Sequence, residues 1–263
     1  MNKSELLQKT TEWVEKHIAE FHEARIKKVK SIDLKEVLEA KNPYLFKAKA
    51  ITLSQEFINI LLEAKMSSSE ETIFGNWLEG LAIYINSLVY NGMKSSADGI
   101  DLEFVRDGKR FLVVIKSGPN WGNQSQISKM YSNFNEAKKR ISTSGNKEEI
   151  IFVNGCCYSR DAIPHKFPKK GPDYYKFCGQ EFWEFISGDQ NLYTDIIEPL
   201  GHQAVEMNKE YDIEYGALVN KITPEFQKEF CDEKGNINWN KIVELNSSIR
   251  VKKQATNKKA GTT

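Results

Sequence analysis

The sequence predicts an α/β (α+β) fold with a mixed central sheet and helical extensions at both ends of the chain. Residues 99–116, GIDLEFVRDGKRFLVVIK, contain two apolar runs around Asp107-Gly108, which favours a type I′ turn and predicts a β-hairpin. Residues 127–141 have helical periodicity, and residues 149–154, EIIFVN, are typical of a buried strand. Counted with the helix before the hairpin, these elements give an αββαβ core, whose crossover helix allows a parallel strand to be added.

Length and composition favour one globular domain. The chain has 263 residues, of which 40% are hydrophobic and 28% are charged, and its net charge is +1. That charge excludes a uniformly basic surface, so any nucleic-acid surface must come from local clustering. The 4 cysteines lack CxxC spacing, and no apolar run approaches the length of a membrane span. We therefore expect a cytoplasmic protein.

We expect the single domain, 1–263, to comprise four regions. Residues 1–66 form a helical N-terminal region, 67–200 the core, 201–249 a C-terminal helical region and 250–263 a basic, flexible tail. Amphipathic patterns predict helices over 4–29 and 32–40. Two capping boxes, Thr52–Gln55 and Ser68–Glu71, predict the starts of two further helices, the second of which runs to Tyr90.

The turn at Asp107-Gly108 fixes the register of the hairpin. It places Asp101 opposite Val114 and Gly99 opposite Lys116. Because side chains alternate along a strand, Asp101, Val114 and Lys116 share one face, and Asp101 and Lys116 are diagonal neighbours. A lysine at the end of an apolar strand is costly unless it is paired or used. An ordinary cross-strand pair is the alternative interpretation.

A carboxylate and a lysine on paired strands, followed by Ser117-Gly-Pro-Asn120, resemble the PD-(D/E)XK nuclease superfamily, and within it the type II restriction endonucleases. In that family the first Asp and a Glu two residues before the Lys bind a divalent metal. Asp101 matches the first Asp and Lys116 the lysine, but Val114 occupies the position of the second acid. The stretches CGQEFWEFISGDQNLYTDIIEPLG and GNINWNKIVELNSS also resemble such enzymes, so the resemblance covers about residues 67–250.

The resemblance implies a restriction-endonuclease-like core and a Mg²⁺ site held by Asp101, another carboxylate and the backbone carbonyl of Ile115. The predicted catalytic residues are Asp101, Lys116 and Glu71. Glu71 is the first candidate for the missing acid because the helix places it beside the apolar stripe. Glu79 is the second candidate, and Glu103 is a third alternative.

Two polar segments supply candidate DNA-binding residues. The segment 117–126, SGPNWGNQSQ, follows Lys116 directly. A basic loop is predicted over 162–175, just after Arg160, and is long enough to be functional. The candidates are Asn120, Asn123, Gln124, Arg160, Lys166, Lys169 and Lys170. For the basic segment, a loop without function is an equal alternative.

The sequence therefore predicts a type II restriction endonuclease that hydrolyses double-stranded DNA with Mg²⁺. A palindromic target is read most simply by two identical subunits, so a homodimer is expected, with the N-terminal helices as its contact. Alternatives are a structure-specific repair or recombination nuclease of the same fold, a catalytically inactive DNA-binding module, and a hairpin that is only core.

Overall fold

The structure is a computed structural model that describes residues 1–143, 145, 148–160 and 174–249. The chain divides into two compact units. The first comprises Met1–Lys27 and Ser68–Asp212, and the second comprises Lys28–Ser67 and the described part of Ile213–Thr263. The single-domain organisation stays a prediction.

Helices dominate the described part of the chain. They are α1 (Lys3–Lys30), α2 (Leu34–Ala40), α3 (Pro43–Ala48), α4 (Ser54–Tyr90), α5 (Gln124–Thr143), α6 (Gln180–Ser187), α7 (Leu192–Asp195), α8 (Ile197–Leu200), α9 (Ala204–Phe230) and α10 (Trp239–Ser247). Among the described residues, no helix is both long and apolar enough to cross a membrane.

Four strands form one mixed sheet in the order β1-β2-β3-β4. They are β1 (Leu102–Arg106), β2 (Lys109–Lys116), β3 (Glu149–Cys156) and β4 (Tyr174–Cys178). Strands β1 and β2 are antiparallel, whereas β2, β3 and β4 run parallel to one another. The helix α5 supplies the crossover that a parallel neighbour requires.

The hairpin has the predicted turn and register. Asp107 and Gly108 have φ values of 52° and 72°, as a type I′ turn requires. Arg106 pairs with Lys109 and Leu102 with Val113, so Asp101 comes opposite Val114. The predicted strand over 99–101 is absent, since β1 begins at Leu102 and Gly99 has a φ of 70°.

Each face of the sheet has its own apolar core. Side chains of Leu102, Phe104 and Val113 pack against α1, α4 and α6 on one face. On the other face Leu112 and Val114 pack against Phe134 and other residues of α5. This alternation follows from the period of two along β1 and β2. Leu6, Val14 and Ile18 form the apolar stripe of α1, and they are buried in the first of these two cores.

The predicted break before Ser68 is wrong, because α4 continues without interruption for 37 residues. The Thr72 hydroxyl donates to the Ser68 carbonyl at 3.1 Å, a contact typical of a helix interior. No Gly or Pro interrupts residues 64–71, AKMSSSEE, so the helix propagates through the second capping box. Glu71 is consequently an interior helical residue and not a capping residue.

The structure adds two elements that the sequence patterns did not predict. Strand β4 falls partly in the segment expected to be a loop up to Tyr175. Helix α3 begins at Pro43, and the Asn42 side chain accepts hydrogen bonds from two of its amides at 3.0 and 3.3 Å. Both elements are so short that periodicity gives little signal for them.

Candidate active site

The parallel strands end together at one edge of the sheet. Lys116 of β2 pairs with Cys156 of β3, and Cys156 pairs with Cys178 of β4. In open α/β sheets, ligands bind outside the carboxyl ends of the strands. The residues that surround Lys116 at this edge are therefore the first place to look for chemistry.

Asp101 reaches this edge from the neighbouring chain segment and is held in place by β2. Its amide donates to the Val113 carbonyl at 2.9 Å, and its Oδ2 accepts a hydrogen bond from the Ile115 amide at 2.7 Å. The same Oδ2 lies 3.9 Å from the Lys116 Nζ. The structure thus brings Asp101 and Lys116 together, as the predicted register requires.

Val114 contributes no chemistry to this edge. Its side chain is buried among the residues that pack on α5, with 3% of its surface exposed. An apolar residue here extends the core up to the site, so any second carboxylate at this edge has to come from another element.

Glu79 of α4 is a carboxylate whose charge interacts with that of Asp101 in the structure. Burial and the nearby charge of Asp101 raise the pKa of Glu79, whereas Lys94 and Lys116 partly oppose the shift. Glu79 Oε1 lies 3.4 Å from Lys94 Nζ, and 22% of its side-chain surface is exposed. Glu79, the second candidate from the sequence, therefore lies in a partly buried position where the charge of Asp101 acts on it. The two carboxylates and Lys116 form the edge cluster.

A close approach between α4 and the loop after β2 explains this arrangement. A Cβ atom added to Gly75 would lie 3.3 Å from the Cβ atom of Ser117, so a larger residue would force the two segments to adjust. Glu79 follows Gly75 by one helical turn and Glu71 precedes it by one. Glu71 is exposed to solvent. The packing of α4 thus favours Glu79 over Glu71 as the partner of Asp101.

Glu103 has other partners. It accepts hydrogen bonds from Arg110 and, at 3.1 Å, from the Ser95 hydroxyl. Arg110 also donates from Nε to Glu148 at 2.7 Å. We call Glu103, Arg110 and Glu148 the strand cluster. Glu103 is thus held by Arg110 in a direct ion pair, which makes it a poor candidate for the missing acid.

The family model for the type II restriction endonuclease EcoO109I matches residues 8–208, about three quarters of the chain. The chain belongs to this family. The match confirms the resemblance to type II restriction endonucleases, and it makes the protein a site-specific deoxyribonuclease, a hydrolase of DNA. It also confirms the fold class, a mixed sheet flanked by helices. No curated protein matches the chain.

This restriction endonuclease offers oxygen donors for a metal ion at the edge cluster. Among the described residues, no group of three His, Cys, Asp or Glu side chains is placed to hold a metal. Asp101 and Glu79 do lie close enough for one carboxylate to disfavour the charge of the other. Two carboxylates supply hard oxygen donors, and Mg²⁺ is typically bound by one or two carboxylates while it keeps several waters. The donor set therefore fits Mg²⁺.

The predicted DNA-binding residues of the endonuclease fall into three groups. Asn120, Gln124 and Arg160 are exposed, and Arg160 lines a pocket of about 600 Å³ beside the carboxyl edge. Asn123 caps α5 instead: its Oδ1 accepts from the Gln126 amide at 3.0 Å, and its own amide donates to Gln126 at 2.9 Å. The third group, Lys166, Lys169 and Lys170, lies outside the described residues.

Two residues near the site were not singled out from the sequence. Lys94 pairs with Glu79, and the ring of Trp121 lies under the Lys116 ammonium, with its centroid 5.4 Å from Nζ. Lys94 stands in a loop without any motif, so no sequence signal could have identified it. Trp121 is the single aromatic residue in the polar segment 117–126 after Lys116, and this contrast could have identified it as a candidate site residue.

Proposed function

We propose that this endonuclease hydrolyses double-stranded DNA with Mg²⁺ held by Asp101 and Glu79, and that Lys116 is its catalytic lysine. The observation that carries the proposal is the convergence of two carboxylates and one lysine at the carboxyl edge of the sheet. The Lys116–Asp101 distance is 3.9 Å, and Glu79 lies in the field of both residues. The Ile115 carbonyl, which the family resemblance implies as a ligand, stays part of the proposal.

Each residue has a defined task in this proposal. Mg²⁺, when bound, polarises the scissile phosphate and lowers the pKa of the attacking water. Asp101 presents its carboxylate in a fixed orientation because the Ile115 amide binds one of its oxygens at 2.7 Å. Lys116 orients the water or neutralises the charge that develops on the phosphate. Lys94 offsets the charge of Glu79 while no metal is bound.

DNA contacts around the edge follow from exposure and charge. Asn120 and Gln124 flank the start of α5, and Arg160 lies beside the pocket at the same edge. Arginine favours phosphate and guanine contacts because its guanidinium donates in a fixed fork. With the Asn123 oxygen used as a cap, Asn120 and Gln124 are the stronger candidates in their segment.

We also propose that the enzyme acts in the cytoplasm as a homodimer, because two identical subunits read a palindromic site most simply. The apolar stripe of α1 is buried within its unit, which weakens the expected N-terminal contact. Ile197 of α8 and Val205 of α9 are instead 64% and 68% exposed. Sedimentation of the protein alone and on DNA tests the dimer, and a monomer in both samples contradicts it.

The experiment for the proposed function is cleavage of plain plasmid by the purified full chain with Mg²⁺, and with EDTA as the matched control. With Mg²⁺ we expect discrete fragments that share one terminal sequence. With EDTA we expect no cleavage. Fragments without a common sequence would favour a structure-specific nuclease. Binding to DNA without cleavage in Mg²⁺ would favour an inactive binding module and contradict the proposal.

A further inference from the structure

We propose that Trp121 is a positioning residue for Lys116, and that its indole ring keeps the ammonium group beside Asp101. The inference rests on the proposed role of Lys116 and adds a residue to that site. Lys116 Nζ lies 5.4 Å from the centroid of the Trp121 ring and 3.9 Å from Asp101 Oδ2. The ammonium therefore lies between an aromatic face and the Asp101 carboxylate.

Asp101 by itself holds this ammonium loosely. A separation of 3.9 Å exceeds hydrogen-bond length, and Oδ2 already accepts the Ile115 amide at 2.7 Å. The Lys116 side chain is 33% exposed, and a lysine has four rotatable bonds that give it access to many solvent-facing rotamers. A second contact is needed to restrict these rotamers. A cation over the face of an indole is the most favourable arrangement of this kind.

The ring is fixed independently of the lysine. Trp121 is partly buried and packs against the cluster that includes Leu112, Val114 and Phe134. The chain just before it is tied to the segment after β3: the Lys116 carbonyl accepts from the Cys157 amide at 2.9 Å, and the Ser117 carbonyl accepts from the Tyr158 amide at 3.2 Å.

Directly after Trp121, the reciprocal cap between Asn123 and Gln126 starts α5. Core packing and backbone hydrogen bonds fix the position of the ring. The ring can therefore restrain the Lys116 side chain. Trp121 is held by packing on the α5 face of the sheet, and its ring in turn limits the rotamers of the catalytic lysine.

Loss of the ring should slow the chemical step and leave DNA affinity unchanged. The test compares Trp121→Leu with Trp121→Phe, which retains an aromatic face. We expect Trp121→Leu to reduce the single-turnover cleavage rate about tenfold, as loss of a partly desolvated cation–π contact would, and Trp121→Phe to reduce it less. The dissociation constant for DNA, measured with Ca²⁺ in place of Mg²⁺, should stay the same.

A spectroscopic measurement follows the lysine directly and needs no activity. In the protein with reductively ¹³C-methylated lysines, the Lys116 signal is identified by its loss in Lys116→Ala. We expect a ring-current shift that disappears in Trp121→Leu and is retained in part in Trp121→Phe. Trp239→Leu removes a similar contact, with Lys47 at 5.7 Å, and is the matched control that should leave both readouts unchanged.

Several results would overturn the inference. These are a wild-type rate for Trp121→Leu, equal losses for the Leu and Phe variants, or an unshifted Lys116 signal. If Trp121→Leu does not fold, Trp121→Met takes its place in every comparison. Failure of the proposed function looks different: either the wild-type protein does not cleave DNA or Lys116→Ala cleaves normally, and in both cases the Lys116 signal still tests the contact with Trp121.

Discussion

The edge cluster and the strand cluster each contain two carboxylates and one basic side chain, but only in the strand cluster does that basic side chain donate hydrogen bonds to both carboxylates. Arg110 donates to Glu103 and Glu148, and although burial alone would lower its pKa, these bonds raise it overall. In the edge cluster the nearest lysines stand 3.4 and 3.9 Å from the carboxylates, and the pKa of Glu79 is raised. Under the proposed function, the difference distinguishes charges that hold the fold together from charges arranged to receive a cation.

The largest effect should come from the edge cluster. We expect Asp101→Asn and Lys116→Ala each to reduce cleavage by about 10³-fold, because each removes a preorganised charge that acts on the transition state. Specific DNA binding in Ca²⁺ should persist. The matched control is Glu103→Gln, the same kind of substitution in the strand cluster, which should cleave at nearly the wild-type rate. A control as inactive as Asp101→Asn would show that the two clusters do not differ in function.

The second effect separates two carboxylates of one helix. Glu79→Gln should reduce cleavage by about 100-fold and raise the Mg²⁺ concentration needed, because it removes a metal ligand at the edge. Glu71→Gln, two helical turns earlier on an exposed part of α4, should cleave normally. Rates measured across a Mg²⁺ titration decide between them. Inactivation by Glu71→Gln alone would support Glu71, the first candidate from the sequence, and contradict the proposed role of Glu79.

The smallest effect concerns stability, and its sign should differ between the clusters. Glu103→Gln should lower the free energy of unfolding by about 1 kcal/mol, because Arg110 loses a charged partner. Glu79 binds its proton more tightly in the folded state than in the unfolded state, so its carboxylate destabilises the fold above its raised pKa.

Glu79→Gln should therefore raise the free energy of unfolding at neutral pH. The gain should vanish at a pH below the pKa that Glu79 has in the unfolded chain, where the carboxyl is protonated in both states. Urea denaturation at neutral and acidic pH measures both variants. Destabilisation by Glu79→Gln at neutral pH would show that its pairing with Lys94 outweighs burial.

Local rules predicted the hairpin well and the helices around it less well. Asp107-Gly108 and the alternation along β1 and β2 gave the register that joins Asp101 to Lys116. The capping box at Ser68 failed because a cap preference of about 1 kcal/mol does not stop a helix that tertiary packing supports. Strand β4 was missed because it is short and its signal comes from its partner β3.

Sequence alone determined the family, the hairpin register and the pairing of Asp101 with Lys116, since a tight turn and a period of two act within a few residues. Only the tertiary structure distinguishes the candidate acids that could join them. The sequence favours Glu71 over Glu79 and Glu103, but in the structure α4 approaches Ser117 at Gly75, the charge of Glu79 interacts with that of Asp101, and Arg110 binds Glu103. The rotation of a helix over a sheet depends on packing across many residues, and no local pattern in the chain encodes it.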